Sequence, residues 1–573
     1  MIDTVKSFFG ISTDERKLEP EGYTVQASSW PEVAGERILE TVSSVAQKGV
    51  SSMEITLNHP ESLTEHAVEE IKIFHEQEDV KVNIHASLDL RLAMAEKKSY
   101  RRVDEYMKGF IAKAKEIGAD YINVHTSNFP SPELGRMRGI MYEVMVHPDG
   151  EPISKFVEER LMKRHSDSET FDWLVRDLRK KAGIPNDWWI SEAISGDSGY
   201  LDKLISDKEV DEYYRAKKED LQNQAKRLGR DPDEVDVSRQ NAKEELKERY
   251  MSNRELIIKR FREMDDDFKL DVSRKAFENM INEGQVDLER IFNEFRTYQL
   301  IGWWMYEKGH PIWRKICGNR SPKDLEESKD MDLLVDAVAG RYIQGHVKNW
   351  KQALENSGVV VTLETPDARE NEFLGYYRLV DPTRIYNVIK AIDHPNIKLC
   401  FDFEHIATQG INVKEILRKS PDGLGRETYL VHISSRPSPG HEHFPLQKGE
   451  IELYEMLWEL KIRGFESGYI TFERGGGQQT GEGDKIWKES ISRAKEMAMF
   501  LEDEVSPSEL PDWFYGYDDK EFKRDQAVIM SKTFEPLKGL IESPELEDTF
   551  LGKHAVEKEP RMRGDGWKKE EHQ

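Results

Sequence analysis

The chain has 573 residues, 37% of them hydrophobic, with 84 basic against 109 acidic side chains and a formal net charge of −25. That length allows several domains and a substantial core, while the acidic balance disfavours non-specific adhesion to nucleic acid, which depends on neutralising phosphates. Only Cys317 and Cys400 are present, which excludes a disulfide framework and points to a reducing cytoplasm. No run of about twenty apolar residues would span a membrane, and the opening MIDTVKSFFGISTDERKLEP lacks the apolar stretch of a signal peptide.

Taken in chain order, eight short β-branched or aromatic runs read as buried parallel strands: YTVQASS (23–29), SMEITLN (52–58), VKVNIHAS (80–87), YINVHTS (121–127), VVVTLETP (359–366), IKLCFDFEH (397–405), YLVHISS (429–435) and GYITFERG (468–475). Helical periodicity fills the gaps at 34–48, 61–77, 102–117, 332–356, 381–392, 412–419, 450–463 and 485–502. Strand and helix alternating in this way predict a (β/α)8 TIM barrel. An open doubly wound sheet is the competing reading, but it would gather polar residues at one switch point, whereas here they end six strands in succession.

The spacing divides the chain into a first barrel half (1–129), a helical insertion after strand four (130–331), a second barrel half (332–502) and a C-terminal extension (503–573). The insertion is charged and carries the tryptophan pairs Trp188–Trp189 and Trp303–Trp304. As a βα connection it is expected on the catalytic face, as a lid or substrate-selecting subdomain; an independent helical bundle with core tryptophans is the plainer reading. In the extension, SPSELPDWFYGYDDKEF reads as a linker, RDQAVIMSKTFEPLKGLI as an amphipathic helix and EKEPRMRGDGWKKEEHQ as disordered.

The chemistry lies at the strand ends. His85, His125, Glu364, Asp402, His432 and Glu473 close strands three to eight, and barrel closure points all six at one mouth. A single histidine closing a strand is usually structural; six metal-binding groups in register are not, because a buried charge without a partner is costly. His405 follows Asp402 by three residues, and His441 with His443 forms an H-x-H pair whose extended backbone would place both imidazoles on one side. Nine such groups suit two or three divalent ions, and imidazole-rich ligation favours Zn²⁺, Mn²⁺ or Fe²⁺ over Mg²⁺ or Ca²⁺, with Zn²⁺ the first expectation and Mn²⁺ the next. RGGGQQTGEG after strand eight offers a phosphate cradle or a plain loop, and Cys400 reads as core.

This pattern resembles the xylose-isomerase-like barrel superfamily, and within it the endonuclease IV group of apurinic/apyrimidinic endonucleases. That group supplies His, His, Glu, Asp-x-x-His, His and Glu from strands three to eight and a D-x-H pair after strand seven; here the last is His441-x-His443. The likeness covers about 22–129 and 332–502. It implies that Glu364 bridges two metals, with His85 and His125 on the first, Asp402, His432 and Glu473 on the second, and His405, His441 and His443 on a third. It further implies hydrolysis of a phosphate ester, as in DNA cleavage at abasic sites, organised by Glu364 and Glu473. The superfamily also holds sugar and sugar-phosphate isomerases and epimerases, which share only the Glu364, Asp402, His432, Glu473 quartet and use the two glutamates as a proton-transfer pair. A silent metal-binding scaffold is a third reading. Three departures separate the chain from endonuclease IV: TPDARE after Glu364, Leu88 in place of a DNA-probing aromatic residue, and no arginine-rich loop after strand two, where LNHPES stands.

Overall fold

The structure is a computed structural model, and it describes residues 22–29, 37–47, 49–87, 90–127, 144–182, 186–234, 237–367, 378–435, 443–473 and 483–515. Eight parallel strands close a barrel in sequence order, with the first paired to the last. They are β1 (Tyr23–Ser29), β2 (Ser52–Thr56), β3 (Lys81–His85), β4 (Tyr121–His125), β5 (Val360–Glu364), β6 (Ile397–Asp402), β7 (Thr428–Ile433) and β8 (Gly468–Phe472). Helices cover the outside, so both faces of the strands are buried, which is why they read as apolar runs rather than alternating ones.

The helices start and stop where local chemistry dictates. Thr64 caps Glu65–Glu78 by accepting the Ala67 amide at 3.2 Å, and Asp381 caps Pro382–Ile392, with proline in the first turn where its missing N–H costs nothing. IKLCFDFEH changes character partway: β6 ends at Asp402 and Phe403–Ala407 is a helical turn. The sequence reading extended the strand through His405, because Phe403 and the preceding apolar run carry the same hydrophobic signal in either conformation.

The chain forms two compact units, 1–90 with 105–129 and 350–573, and 91–104 with 130–349. The second includes fourteen residues from before β4, and the helix Met331–Ser357 belongs partly to each, so these boundaries follow packing rather than sequence order. The second unit has a core of its own, built on Trp189, Ile194, Leu246, Phe261 and Phe268. Trp189 is buried there, whereas Trp188 beside it is 42% exposed.

At the C-terminal side the described part of the stretch read as a linker, up to Tyr515, packs instead. Leu510 and Phe514 are buried, with the Phe514 ring 5.7 Å from both Tyr454 and Phe500. A linker signal from Ser, Pro and Asp overlooked the aromatic anchors spaced between them. The amphipathic helix and the disordered tail assigned to the rest of the extension lie outside the described residues.

Candidate metal centre

Strand register brings the polar strand ends to one level. His125 of β4 lies beside Glu364 of β5, and Asp402 of β6 beside His432 of β7. Side chains alternate along a strand, so Asn123 and His125 share the interior face, as do Thr362 and Glu364. His85, His125, Glu364, Asp402 and His432 are buried, Glu364, Asp402 and His432 at most 1% exposed, and Glu473 is half-buried.

Glu364 stands at the centre. Its Oε2 lies 3.1 Å from Nε2 of both His85 and His125 and accepts from Asn123 Nδ2 at 2.5 Å. Asn123 is held in that orientation because its own Oδ1 accepts from Thr362 Oγ1 at 2.8 Å. The other oxygen, Oε1, faces His432 Nδ1 at 3.3 Å and His405 Nδ1 at 3.2 Å. His432 Nδ1 in turn lies 3.5 Å from Asp402 Oδ2 and 3.0 Å from Glu473 Oε2. Two ligand sets therefore meet at one carboxylate: His85, His125 and Glu364, then Glu364, Asp402, His432 and Glu473, each with ligand atoms within 4.8 Å of one another.

Four atoms of the second set, Glu364 Oε1, Asp402 Oδ2, His432 Nδ1 and Glu473 Oε2, are buried without a hydrogen-bond partner among the described residues. Three carboxylate oxygens crowded round one imidazole nitrogen, without a hydrogen bond of good geometry to any of the four atoms among the described residues, are costly to bury. A divalent cation removes that cost, and the donor set of carboxylate and imidazole suits Zn²⁺ or Mn²⁺. The residues present therefore fit the metal that the sequence pattern implies.

Electrostatics show the same shortage of positive charge. Burial would raise the Glu364 carboxyl, but the imidazoles of His125 and His432 outweigh it and hold it well below the usual carboxylate range. Glu473 behaves likewise, with His443 and His432 outweighing burial. Burial disfavours the His85 cation, yet its hydrogen bond to Glu364 pushes it up to about 9. His432 is carried well above its ordinary value against burial by the Cys400 sulfur and by Glu54, Glu364 and Glu473. In the metal-free chain protons thus occupy imidazoles that ions would otherwise use.

The third predicted set is partly described. His405 is buried with its ring 5.2 Å from His125, and His443 is buried 6.1 Å from His405. The bridge between Ser435 and Phe444 brings the returning loop back to this spot. His443 has φ of +45°, and the H-x-H geometry expected from sequence involves His441, which lies outside the described residues. His441, Leu88 and all of RGGGQQTGEG before its last glycine, Gly483, lie outside the described residues, as does the segment 368–377.

Asp402 carries two tasks. Its Oδ1 accepts the His405 amide at 2.8 Å and caps the turn Phe403–Ala407, while Oδ2 faces the ligand set. Sequence reasoning missed Glu54, fully buried on β2, whose carboxylate lies 3.3 Å from the far nitrogen of His432. The signal was available: a glutamate between Met53 and Ile55, the single charged residue of the strand. Cys400, read as core, is buried and free as expected, though its sulfur lies within 4.8 Å of ligand atoms of Glu364 and His432.

Residues 336–497 match the sequence model of the family described as Xylose isomerase-like TIM barrel. An uncharacterized protein of Methanocaldococcus jannaschii is 28% identical over 120 residues, which is 20% of this chain and 39% of that protein. The match therefore spans about two fifths of that relative. Among solved structures, a D-tagatose 3-epimerase-like protein is 11% identical with a TM-score of 0.39, over 84% of this chain and 100% of that one. The 3-keto-D-glucoside 4-epimerase YcjR of E. coli is 9% identical with a TM-score of 0.36, over 83% and 99%. Likeness at that level says nothing of substrate. The matched family description fits a sugar isomerase better than cleavage of abasic DNA, and nothing in these likenesses bears on DNA repair or hydrolysis.

Proposed function

From a barrel whose second half matches the xylose isomerase-like family, we propose a metal-dependent isomerase or epimerase acting on a sugar or sugar phosphate. The observation that supports this is the convergence of Glu364, Asp402, His432 and Glu473 with four unpaired ligand atoms at one point. A divalent ion held there, Zn²⁺ or Mn²⁺, would polarise a substrate carbonyl and make the neighbouring C–H more acidic. Glu364 and Glu473 are both held ionised near neutral pH, so each begins as a proton acceptor. One removes the proton from the substrate carbon and returns it to the same or the neighbouring carbon, or hands the task to its partner across the site. The net charge of −25 and the absence of the DNA-probing residue at Leu88 weigh against a nucleic-acid substrate.

One observation favours a second reading, hydrolysis of a phosphate ester. Glu364 presents Oε2 to His85 and His125 while Oε1 faces the quartet, the arrangement of a carboxylate shared by two ions. Two ions can hold the attacking and leaving oxygens of an ester displacement. Either reaction suits a reducing cytoplasm, the compartment in which two free, buried cysteines persist. No helix among the described residues is long and apolar enough to cross a membrane.

The discriminating experiment loads the chain with Zn²⁺ or Mn²⁺, counts the ions and offers two substrate classes. Ketoses and ketose phosphates in D₂O should gain deuterium at the carbon beside the carbonyl. Absence of exchange across such a panel, with turnover of bis(p-nitrophenyl) phosphate or of an abasic oligonucleotide, would replace the isomerase reading with the hydrolytic one.

A further inference from the structure

Beneath the ligand sets the barrel core is polar where packed apolar layers are expected. Gln26, Ser52, Glu54, Asn83, Tyr121 and Thr471 are all at most 1% exposed and bonded to one another. Their hydrogen bonds have a direction that can be traced from a fixed end. The amides of Asp120 and Tyr121 can only donate, and both donate to Asn83 Oδ1, at 2.9 and 3.4 Å. That turns Asn83 Nδ2 toward Gln26, to whose Oε1 it donates at 3.3 Å, alongside Ser52 Oγ at 2.8 Å. Gln26 must then present its Nε2 on the other side, where it donates to Thr471 Oγ1 at 2.7 Å and to the Tyr121 hydroxyl. With its oxygen already accepting, Tyr121 sends its own hydrogen to Glu54 Oε2 at 2.8 Å. As a carboxylate Glu54 can only accept, and among the described residues the other group it faces is His432 Nε2, 3.3 Å from Oε1 and 3.4 Å from Oε2.

We infer that Glu54 is a positioning residue that fixes the proton of His432 on Nε2, so that Nδ1 is left as the lone pair offered to a metal ion in the quartet. With Glu54 as a carboxylate, the chain of donors from the β4 backbone leads to a proton on His432 Nε2. Reversing Tyr121 would leave Gln26 Nε2 aimed at a hydroxyl hydrogen, and reversing His432 would set a lone pair against the Glu54 carboxylate. A histidine ligand whose second nitrogen is held by a carboxylate is both oriented and made a stronger donor. Here the carboxylate is itself oriented, through a relay of side chains, by a backbone amide. The inference rests on the metal reading of the site but not on either reaction proposed for it.

The test is zinc affinity by competition with a chromogenic chelator, with the ring nitrogens of His432 read by long-range ¹H–¹⁵N correlation in the zinc-loaded full chain. The wild type should show Nε2–H and a coordinated Nδ1. Glu54→Gln keeps the shape but can turn its amide nitrogen toward His432, and zinc affinity at the quartet should fall about 10–100-fold. Tyr121→Phe removes one link and should cost about tenfold or less while leaving Nε2–H in place. Zinc binding in both variants within twofold of wild type, or a wild-type His432 coordinated through Nε2, would overturn the inference alone. A wild type that takes up no zinc would overturn it together with the metal reading. Circular dichroism of each variant separates loss of the fold from loss of the site.

Discussion

Each compact unit of the molecule holds a cluster of histidine and carboxylate, and the two balance their charges differently. In the second unit His147, 3% exposed, lies 3.3 Å from Asp149, and Asp149 also takes Arg341 at 2.5 Å and Arg160 at 3.6 Å, with Arg160 bound to Glu151 at 2.8 Å. The hydrogen bond with His147 and the guanidinium of Arg341 hold the Asp149 carboxyl far below its ordinary range, while burial lowers His147. Arginine closes that account, and the imidazole stays neutral. At the barrel mouth the ion pairs of Glu364, Asp402 and Glu473 among the described residues are all with histidines, and no lysine or arginine enters. The lesson is that a His–carboxylate cluster is not by itself a metal site. Among the described residues, the lack of a lysine or arginine partner distinguishes the one from the other.

The sharpest way to break this contrast is Glu364→Gln, which removes the charge shared by both ligand sets. We expect loss of metal from both and a fall in turnover on the order of 10³-fold, since an ion's charge stabilisation is worth several kcal/mol; elemental analysis showing full metal content would end the shared-carboxylate account. In the other cluster, Arg341→Met leaves Asp149 short of its main cation. For a partly exposed pair the cost should be about 1–2 kcal/mol of stability, read by denaturant unfolding, with metal content unchanged; any loss of metal would show that the clusters are not independent.

A smaller effect should appear with pH. His85 titrates at about 9 in the metal-free chain, so below that pH it carries a proton which an ion must displace. Zinc affinity should therefore rise by up to about tenfold per pH unit for each proton released as pH climbs from 6 toward 9, and fall on acidification. Calorimetry in buffers of different ionisation enthalpy counts the protons, and a count of zero would mean that the imidazoles are already neutral. The smallest change expected is from Thr362→Val. Freeing Asn123 to turn its amide away from Glu364 should weaken metal binding by about threefold, and an effect above 100-fold would reveal a role for Thr362 beyond orientation.

How much of this was legible without coordinates follows from what each kind of residue signals. A strand end is marked twice, by the apolar run before it and by the polar residue that stops it, so His85, His125, Glu364, Asp402, His432 and Glu473 could be placed from sequence alone. Glu54 sits inside a strand, where its partners Tyr121 and His432 are 67 and 378 residues away. Only barrel closure brings them together, and no local pattern predicts which interior residues meet. The positive φ at His443, next to the bridge from Ser435 to Phe444, was equally hidden, because nothing in a histidine's side chain signals that conformation. Phe514 illustrates a third limit: a Pro- and Ser-rich composition signals an irregular path but not whether that path is anchored.

Asp402 divides its two oxygens between a helix cap and the ligand set, and that division bears on how such a chain would decay over generations. Replacement by Asn or Ser would preserve the cap, and with it most of the local fold, while removing the charge that faces the ions. A descendant carrying that change would express and fold normally yet be silent. Selection acting on folding alone would not remove it, and a collection of related barrels ranked by thermal robustness would not set it apart. The identity of this one side chain is therefore a better sorting criterion for active members than the integrity of the barrel around it.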